Sequence, residues 1–155
     1  SDPVRGDRRS GARLDGPGHS HLIVDPLGLA GGAVGSAVAS GLAVVAATTL
    51  AVDVLRSPSG GAPDLGAPFQ VLLWGTLAGI TLAAVVAWRL LSPLGSAYRR
   101  GGLSLVSAFA TVIAMLACIP VNQALGRTGL AGLVALSLVL SLLLARRARA
   151  AGAAP

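Results

Sequence analysis

The sequence has little charge, one cysteine and two histidines, and each shortage excludes a kind of site. Charged residues make up 12% of the 155 positions. A single cysteine, Cys118, excludes an internal disulfide, a CxxC redox pair and a cysteine-based metal cluster. The histidines, His19 and His21, both lie in a polar N-terminal stretch, so a haem held by two histidines inside a helical bundle is not expected. We therefore predict no metal and no cofactor.

Aromatic side chains are also scarce, at 3% of the chain, and this bears on the high positive charge. The formal net charge is +6 and the isoelectric point is near 11.5, which alone would be compatible with nucleic-acid binding. Basic grooves for nucleic acids interleave arginine or lysine with aromatic residues, and the sequence shows no such stretch. We predict no nucleic-acid partner and interpret the arginines as signals of membrane topology.

Apolar residues are what the sequence does have. Hydrophobic residues reach 54% and the mean hydropathy is +0.76, with several uninterrupted apolar runs long enough to cross a bilayer. All twelve basic residues are arginine and all six acidic residues are aspartate, which, with abundant alanine, glycine and proline, is typical of a GC-rich bacterial genome. The composition predicts a multi-pass protein of the bacterial inner (cytoplasmic) membrane.

Hydropathy divides the chain into three parts. Residues 1–22 are polar and predicted to be a disordered tail, residues 23–147 a membrane domain, and residues 148–155 a C-terminal tail. Within the membrane domain the apolar runs predict four helical spans, at about 27–52, 68–91, 103–125 and 129–145. The predicted fold is all-α, a four-helix transmembrane bundle.

The distribution of arginine predicts the orientation of the bundle. Ten arginines fall in the N-terminal tail, the second connection and the C-terminal tail, while the other two connections hold only Arg56 and Arg127. Cytoplasmic segments are rich in arginine and lysine, so both termini are predicted to be cytoplasmic. Asp53 and Arg56, three residues apart at the end of the first span, are predicted to form a surface ion pair.

Small residues recur at four-residue intervals in the first two spans and predict how the helices pack. Helices in lipid associate where small side chains allow their backbones to approach closely. This predicts the first span as the central helix and the fourth, leucine-rich span as facing lipid, with Ser137 and Ser141 available to a neighbour. The packing positions that we predict are Gly28, Gly32, Ser36, Ser40, Gly75 and Gly79.

The stretch MLACIPVNQALGR, residues 115–127, is the best candidate for a ligand or partner pocket. Pro120 has no amide hydrogen, so the Leu116 carbonyl loses its helical donor and needs another in lipid. Asn122, Gln123 or nearby hydroxyls such as Thr111 are predicted donors, which would form a kinked polar pocket. In the alternative interpretation the amides face the lipid headgroups, Gly126 adopts a left-handed conformation, Thr128 caps the next helix, and spans three and four form a tight antiparallel hairpin.

The segment LSLVSAFATVIAMLACIPVNQALGR resembles the third span of the anthrone-oxygenase-like family of small four-helix bacterial membrane proteins. Members of that family often carry a P-L/V-N-x-x-L element there, and Pro120, Val121, Asn122 and Leu125 match it. The resemblance covers about 25 residues and the predicted helix count. It implies cofactor-free oxidation of a lipophilic aromatic compound. The aromatic- and histidine-containing connection that precedes the last span in that family is replaced here by a short Gly-Arg-Thr turn.

The functional interpretation follows from what the predicted spans contain. No titratable residue lies in the middle of any span, so proton-coupled export is not expected, and no catalytic set is evident. We predict an accessory or scaffold subunit that packs against the lipid bilayer and a larger membrane protein or further copies of itself. One alternative is a membrane oxygenase that uses Asn122 and Gln123, and another is an oligomeric channel or exporter for a neutral solute, lined by the hydroxyls of Thr48, Thr49, Thr76 and Thr81.

Overall fold

The structure, a computed structural model, describes residues 26–56 and 66–153, apart from the side chain of Ala67. This part of the chain contains four helices and no strand, which confirms the all-α prediction there. The helices are α1 (Pro26–Leu55), α2 (Gly66–Leu90), α3 (Ala97–Met115) and α4 (Cys118–Gly152). The predicted tail at residues 1–22, with His19 and His21, and most of the first connection lie outside the described residues.

Three of the helices are long and apolar enough to cross a membrane, namely Pro26–Leu55, Pro68–Leu90 and Cys118–Gly152. Their length and composition indicate a membrane protein. At about 1.5 Å per residue the 30 residues of α1 reach ~45 Å, which exceeds the ~30 Å hydrocarbon core of a bilayer. The helix therefore tilts or extends beyond the core on either side.

The helix starts follow from local sequence. Pro26 occupies the first position of α1, where its missing amide hydrogen has no intrahelical partner to lose. Pro68 lies in the first turn of α2 for the same reason. The Ser96 hydroxyl caps α3 by accepting from the Arg99 amide at 3.5 Å. At its far end α4 remains helical through its three C-terminal arginines to Gly152, beyond the tail boundary predicted at residue 148.

The centre of the bundle is α1, which packs against all three other helices and most extensively against α4 and α2. The helix α3 lies on α2 and α1, and it has little contact with α4. Two apolar clusters form the core. One joins Leu29, Ala33, Ala37, Ala83, Ala87, Leu91 and Ala148, and the other joins Val45, Ala46, Cys118 and Leu130.

The helix breaks before Pro120, but the freed carbonyl finds a different donor from those predicted. The Leu116 carbonyl accepts from the Ile119 amide at 3.4 Å, three residues ahead, so the chain tightens locally. The prediction that Asn122, Gln123 or a hydroxyl from another span satisfies this carbonyl is therefore wrong. The turn at residues 116–117 separates α3 from α4, while its backbone stays in the right-handed region.

A second break lies inside α4, at Gly126. Its φ of 56° and ψ of −143° are not helical, and among the described residues it alone has a positive φ. The positive φ agrees with the prediction for Gly126. The Thr128 hydroxyl, however, donates to the Leu125 carbonyl at 3.2 Å and does not cap an amide, so that prediction is wrong.

The chain reverses its direction around Gly126. The reversal is evident from Cys118 and Leu130, which lie on either side of Gly126 and meet in one apolar cluster. Gly129 lies directly against the side chains of Leu125 and Val121. Away from Gly126 the two segments that it joins separate. The part of α4 after Gly126 continues along α1, whereas α3 lies on α2 and α1. The predicted tight hairpin is thus confined to the residues around Gly126.

Candidate functional site

Ser36 of α1 and Ser141 of α4 form a reciprocal hydrogen-bonded pair. The Ser36 hydroxyl donates to the Ser141 carbonyl at 2.9 Å, and the Ser141 hydroxyl donates to the Ser36 carbonyl at 3.1 Å. Their hydroxyl oxygens are 3.2 Å apart. One turn away, a Cβ on Gly32 would lie 3.1 Å from the Leu144 carbonyl oxygen and 3.2 Å from Ala148. The backbones of α1 and α4 are therefore in close contact along this seam.

The contact between α1 and α2 is equally close and is centred on two glycines. A Cβ on Gly79 would lie 2.8 Å from the Gly41 carbonyl oxygen, and a Cβ on Gly41 would lie 2.8 Å from the Gly79 carbonyl oxygen. Gly75 lies directly against the side chain of Thr48. Since real Cβ atoms essentially never approach other atoms within 3.0 Å, no larger residue fits at Gly41 or Gly79 without separating the helices.

The remaining predicted packing positions have different surroundings. Gly28 is exposed, and the Ser40 hydroxyl donates to the Ala37 carbonyl of its own helix at 2.8 Å. Gly41 was not among the predicted positions. The signal for it is a third ridge at four-residue spacing, formed by Ala33, Ala37 and Gly41, all of which are buried. Whether the small-residue spacing drives association stays a prediction.

The four residues predicted to form a pocket have unlike environments. Thr111 is fully buried, with its hydroxyl donating to the Ser107 carbonyl at 2.8 Å and its methyl group directed at Gly41. Pro120 and Gln123 are exposed and Asn122 is half-buried. Thr111 therefore packs the junction of α1 and α3, while the other three lie beyond the α3–α4 break. A shared pocket for these residues stays a prediction.

An ion pair links the C-terminal end of α1 to the part of α4 that follows Gly126. Arg127 Nε donates to the Asp53 carboxylate at 2.6 Å, and its Nη2 donates to the Asp53 backbone carbonyl at 2.9 Å. Asp53 thus pairs with Arg127. The prediction from sequence spacing, that it pairs with Arg56, is wrong. The reversal at Gly126 places Arg127 next to α1, a contact that spacing along one helix does not predict.

Several hydroxyl groups in the described helices are already used within their own helix. Thr48, Thr49 and Thr81 each donate to the carbonyl four residues earlier, at 2.7, 2.9 and 2.8 Å. Such back-bonding satisfies the hydroxyl in lipid without a partner helix. These hydroxyls therefore do not need a polar solute as a partner.

The outward face of α2 carries an open groove of about 500 Å³. Its lining residues all belong to α2 and recur at three- and four-residue intervals, so they form one stripe of the helix. Trp74 at its start is 69% exposed, and Ala78 leaves a gap between larger side chains. The lining consists of Trp74, Leu77, Ala78, Thr81, Leu82 and Val85.

Within residues 26–56 and 66–153, no group of three or more histidine, cysteine or acidic side chains is placed to hold a metal ion. Comparisons with family models, with curated proteins and with solved structures find no match to the chain.

Proposed function

We propose that the chain is a four-span protein of a bacterial cytoplasmic membrane, with α3 as the additional span and both termini in the cytoplasm. The 19 residues of α3 reach about 28 Å at ~1.5 Å per residue, close to the thickness of a bilayer core. Gly152 lies against Pro93, so the arginines that end α4 share one end of the bundle with those at the end of α2 and the start of α3. This clustering at one end supports a cytoplasmic assignment for that end.

Labelling of a single cysteine tests this topology. A Gly60→Cys variant in a Cys118→Ser background should react with a membrane-impermeant maleimide from outside the cell. A Ser96→Cys variant should react only after the membrane is opened. Cytoplasmic labelling of position 60 contradicts the proposed orientation.

We further propose that the protein is an accessory or scaffold subunit that docks a helix of a larger membrane protein onto the groove of α2. The observation that carries this proposal is the stripe from Trp74 to Val85, to which none of the other described helices contributes. Residues at these intervals form the seam between packed helices, with small residues receiving the side chains of the partner. Ala78 provides such a position at the middle of the stripe.

The test fills the groove without disturbing the bundle. Ala78→Trp should abolish co-purification of a stoichiometric partner in mild detergent and leave the melting temperature of the isolated protein unchanged. Ala135→Trp, a matched change on the exposed surface of α4, should have no effect on recovery of the partner. A photocrosslinker at position 78 should give one adduct with that partner. If only a second copy of the chain is captured, the larger partner is contradicted.

The oxygenase-like interpretation is a second candidate, because Asn122, which matches the asparagine of the resembling element, is half-buried. A double variant, Asn122→Ala with Gln123→Ala, distinguishes the oxygenase-like enzyme from the accessory subunit. Loss of oxidation of a lipophilic aromatic compound, with an intact bundle and partner binding unchanged, would favour the enzyme. For the channel interpretation, flux of a neutral solute through proteoliposomes of the purified chain is the corresponding test.

A further inference from the structure

Arg100 is held in a defined position where α2 ends and α3 begins. Its guanidinium carbon lies 4.4 Å from the centroid of the Trp88 ring, and its Nη2 donates to the Trp88 carbonyl at 3.2 Å. Stacking on an indole stabilises a guanidinium, and the planar group offers five N–H donors in a fixed arrangement. The hydrogen bond to the Trp88 carbonyl uses one of these donors.

One turn further along α3, Ser104 differs from the other polar residues on the same face. Ser107 and Thr111 donate to the carbonyls four residues earlier, at 2.9 and 2.8 Å. The Ser104 side chain is 8% exposed, and its hydroxyl has no hydrogen-bond partner in the described part of the chain. The Nε of Arg100 is likewise buried without a partner there. Both groups are donors, and buried donors without an acceptor cost free energy.

The spacing of these two donors suits one acceptor group. Residues four apart on a helix are neighbours on the same face, with their Cβ atoms about 6 Å apart. A group with several acceptor oxygens can bridge donors at this separation. Arg100 and Ser104 therefore place two unsatisfied donors one turn apart on α3.

The charge around this pair favours an anion. Six arginines lie at this end of the bundle, on the last turn of α2, the first turn of α3 and the last turns of α4. These segments meet where Gly152 lies against Pro93. Asp53 is the single acidic side chain in the described residues, and it is paired with Arg127 at the opposite end. The six are Arg89, Arg99, Arg100, Arg146, Arg147 and Arg149.

We propose that Arg100 and Ser104 bind a phosphate group, with Trp88 as the platform that orients the guanidinium. Phosphate oxygens accept charge-assisted hydrogen bonds from a guanidinium and from a hydroxyl at once. Basic pockets between membrane helices bind anionic headgroups in this way, and tryptophan is typical of the interface where such headgroups lie. A phospholipid headgroup and a soluble phosphate share this chemistry, and the experiment distinguishes them.

The experiment uses the full chain in a neutral detergent. Native mass spectrometry after addition of phosphatidylglycerol or of diacylglycerol, which has no phosphate group, should show retention of the first and little of the second. In a Trp74→Phe variant, Trp88 is the remaining tryptophan and reports binding by a saturable change in its emission. Inorganic phosphate is titrated in parallel. Saturation by phosphate that also displaces the lipid identifies a soluble ligand, whereas lipid retained in excess phosphate identifies the headgroup.

Matched variants decide whether the proposed residues form the site. Arg100→Gln should weaken retention of phosphatidylglycerol about tenfold, and Ser104→Ala should weaken it severalfold, because each removes a donor to the phosphate. Arg147→Gln removes the same charge from the exposed end of α4 and should leave retention nearly unchanged. Circular dichroism checks that the variants remain folded. Equal retention by Arg100→Gln, Ser104→Ala and Arg147→Gln would overturn the proposal, as would equal retention of the two lipids.

Discussion

Ser36 and Ser141 each donate a hydrogen bond to the backbone carbonyl of the other, so that two helices distant in sequence share a closed polar contact. The pair lies between α1 and α4, and Ser36 is almost completely buried, at 1% exposure. In a bilayer such a contact stabilises helix association, because the hydroxyls have no water to bind.

Replacing either serine should weaken this contact by a small amount. Ser36→Ala and Ser141→Ala are each expected to lower the free energy of unfolding by about 0.6 kcal/mol, the usual scale for hydrogen bonds between membrane helices. A double-mutant cycle in mixed micelles should show that the two losses are coupled. Ser40→Ala is the control, since the Ser40 hydroxyl bonds only within α1. Fully additive losses would show that the two serines do not interact.

The crossing of α1 and α2 should be much more sensitive to an added methyl group. Gly41→Ala places a Cβ 2.8 Å from the Gly79 carbonyl oxygen and is expected to destabilise the bundle by about 1–3 kcal/mol through overpacking. Gly31→Ala meets nothing within 4 Å and should be neutral or stabilising by up to about 1 kcal/mol, because alanine favours helix. Reversible unfolding of the two variants under the same conditions tests the close approach, and equal stabilities would contradict it.

The ion pair of Asp53 with Arg127 is expected to contribute little and to depend on salt. Its side chains are 39% and 51% exposed, so solvent screens the attraction. Asp53→Asn should cost up to about 1 kcal/mol at low ionic strength and less at high ionic strength. Arg56 is the residue that sequence spacing predicted as the partner of Asp53. Arg56→Gln should change the free energy of unfolding less than Asp53→Asn, because Asp53 pairs with Arg127. The opposite ranking of the two variants would contradict the pairing seen in the structure.

Any side chain at position 126 should lower the free energy of unfolding, although there is space for it. A Cβ there meets nothing within 4 Å, so any penalty of Gly126→Ala comes from its φ of 56° and ψ of −143°. Residues other than glycine avoid this region, and the expected loss is about 1–3 kcal/mol. Gly132→Ala, at an equally open but helical position, should not destabilise the protein. Similar stabilities of the two variants would contradict the positive φ at residue 126.

Local features of the sequence predict the helices better than they predict the partners of individual residues. Apolar run length and the prolines at positions 26 and 68 indicate where α1 and α2 begin, because both features act within a few residues. The pairing of Asp53 with Arg127 depends on a chain reversal at Gly126, and the choice of Gly41 among several small positions depends on how α2 crosses α1. Such relations arise between distant segments, where spacing along one helix carries no information.

The unsatisfied donors of α3 illustrate the same limit. Ser104, Ser107 and Thr111 have similar side chains at helical spacing, and the sequence does not separate them. The structure does so because Ser104 alone of the three leaves its hydroxyl without a partner in the described chain.

The central claim, that α1 lies between α2 and α4 in close backbone contact, is tested most directly by disulfide formation in native membranes. In a Cys118→Ser background, Ser36→Cys with Ser141→Cys places two thiols where hydroxyl oxygens are 3.2 Å apart. Mild oxidation should join them within one chain and protect both from a maleimide mass tag. Gly31→Cys with Ser141→Cys is the control and should remain fully tagged, because residue 31 is exposed and has no neighbour within 4 Å. Full tagging of the first pair after oxidation, or its cross-linking only between chains, would contradict the packing of α1 against α4.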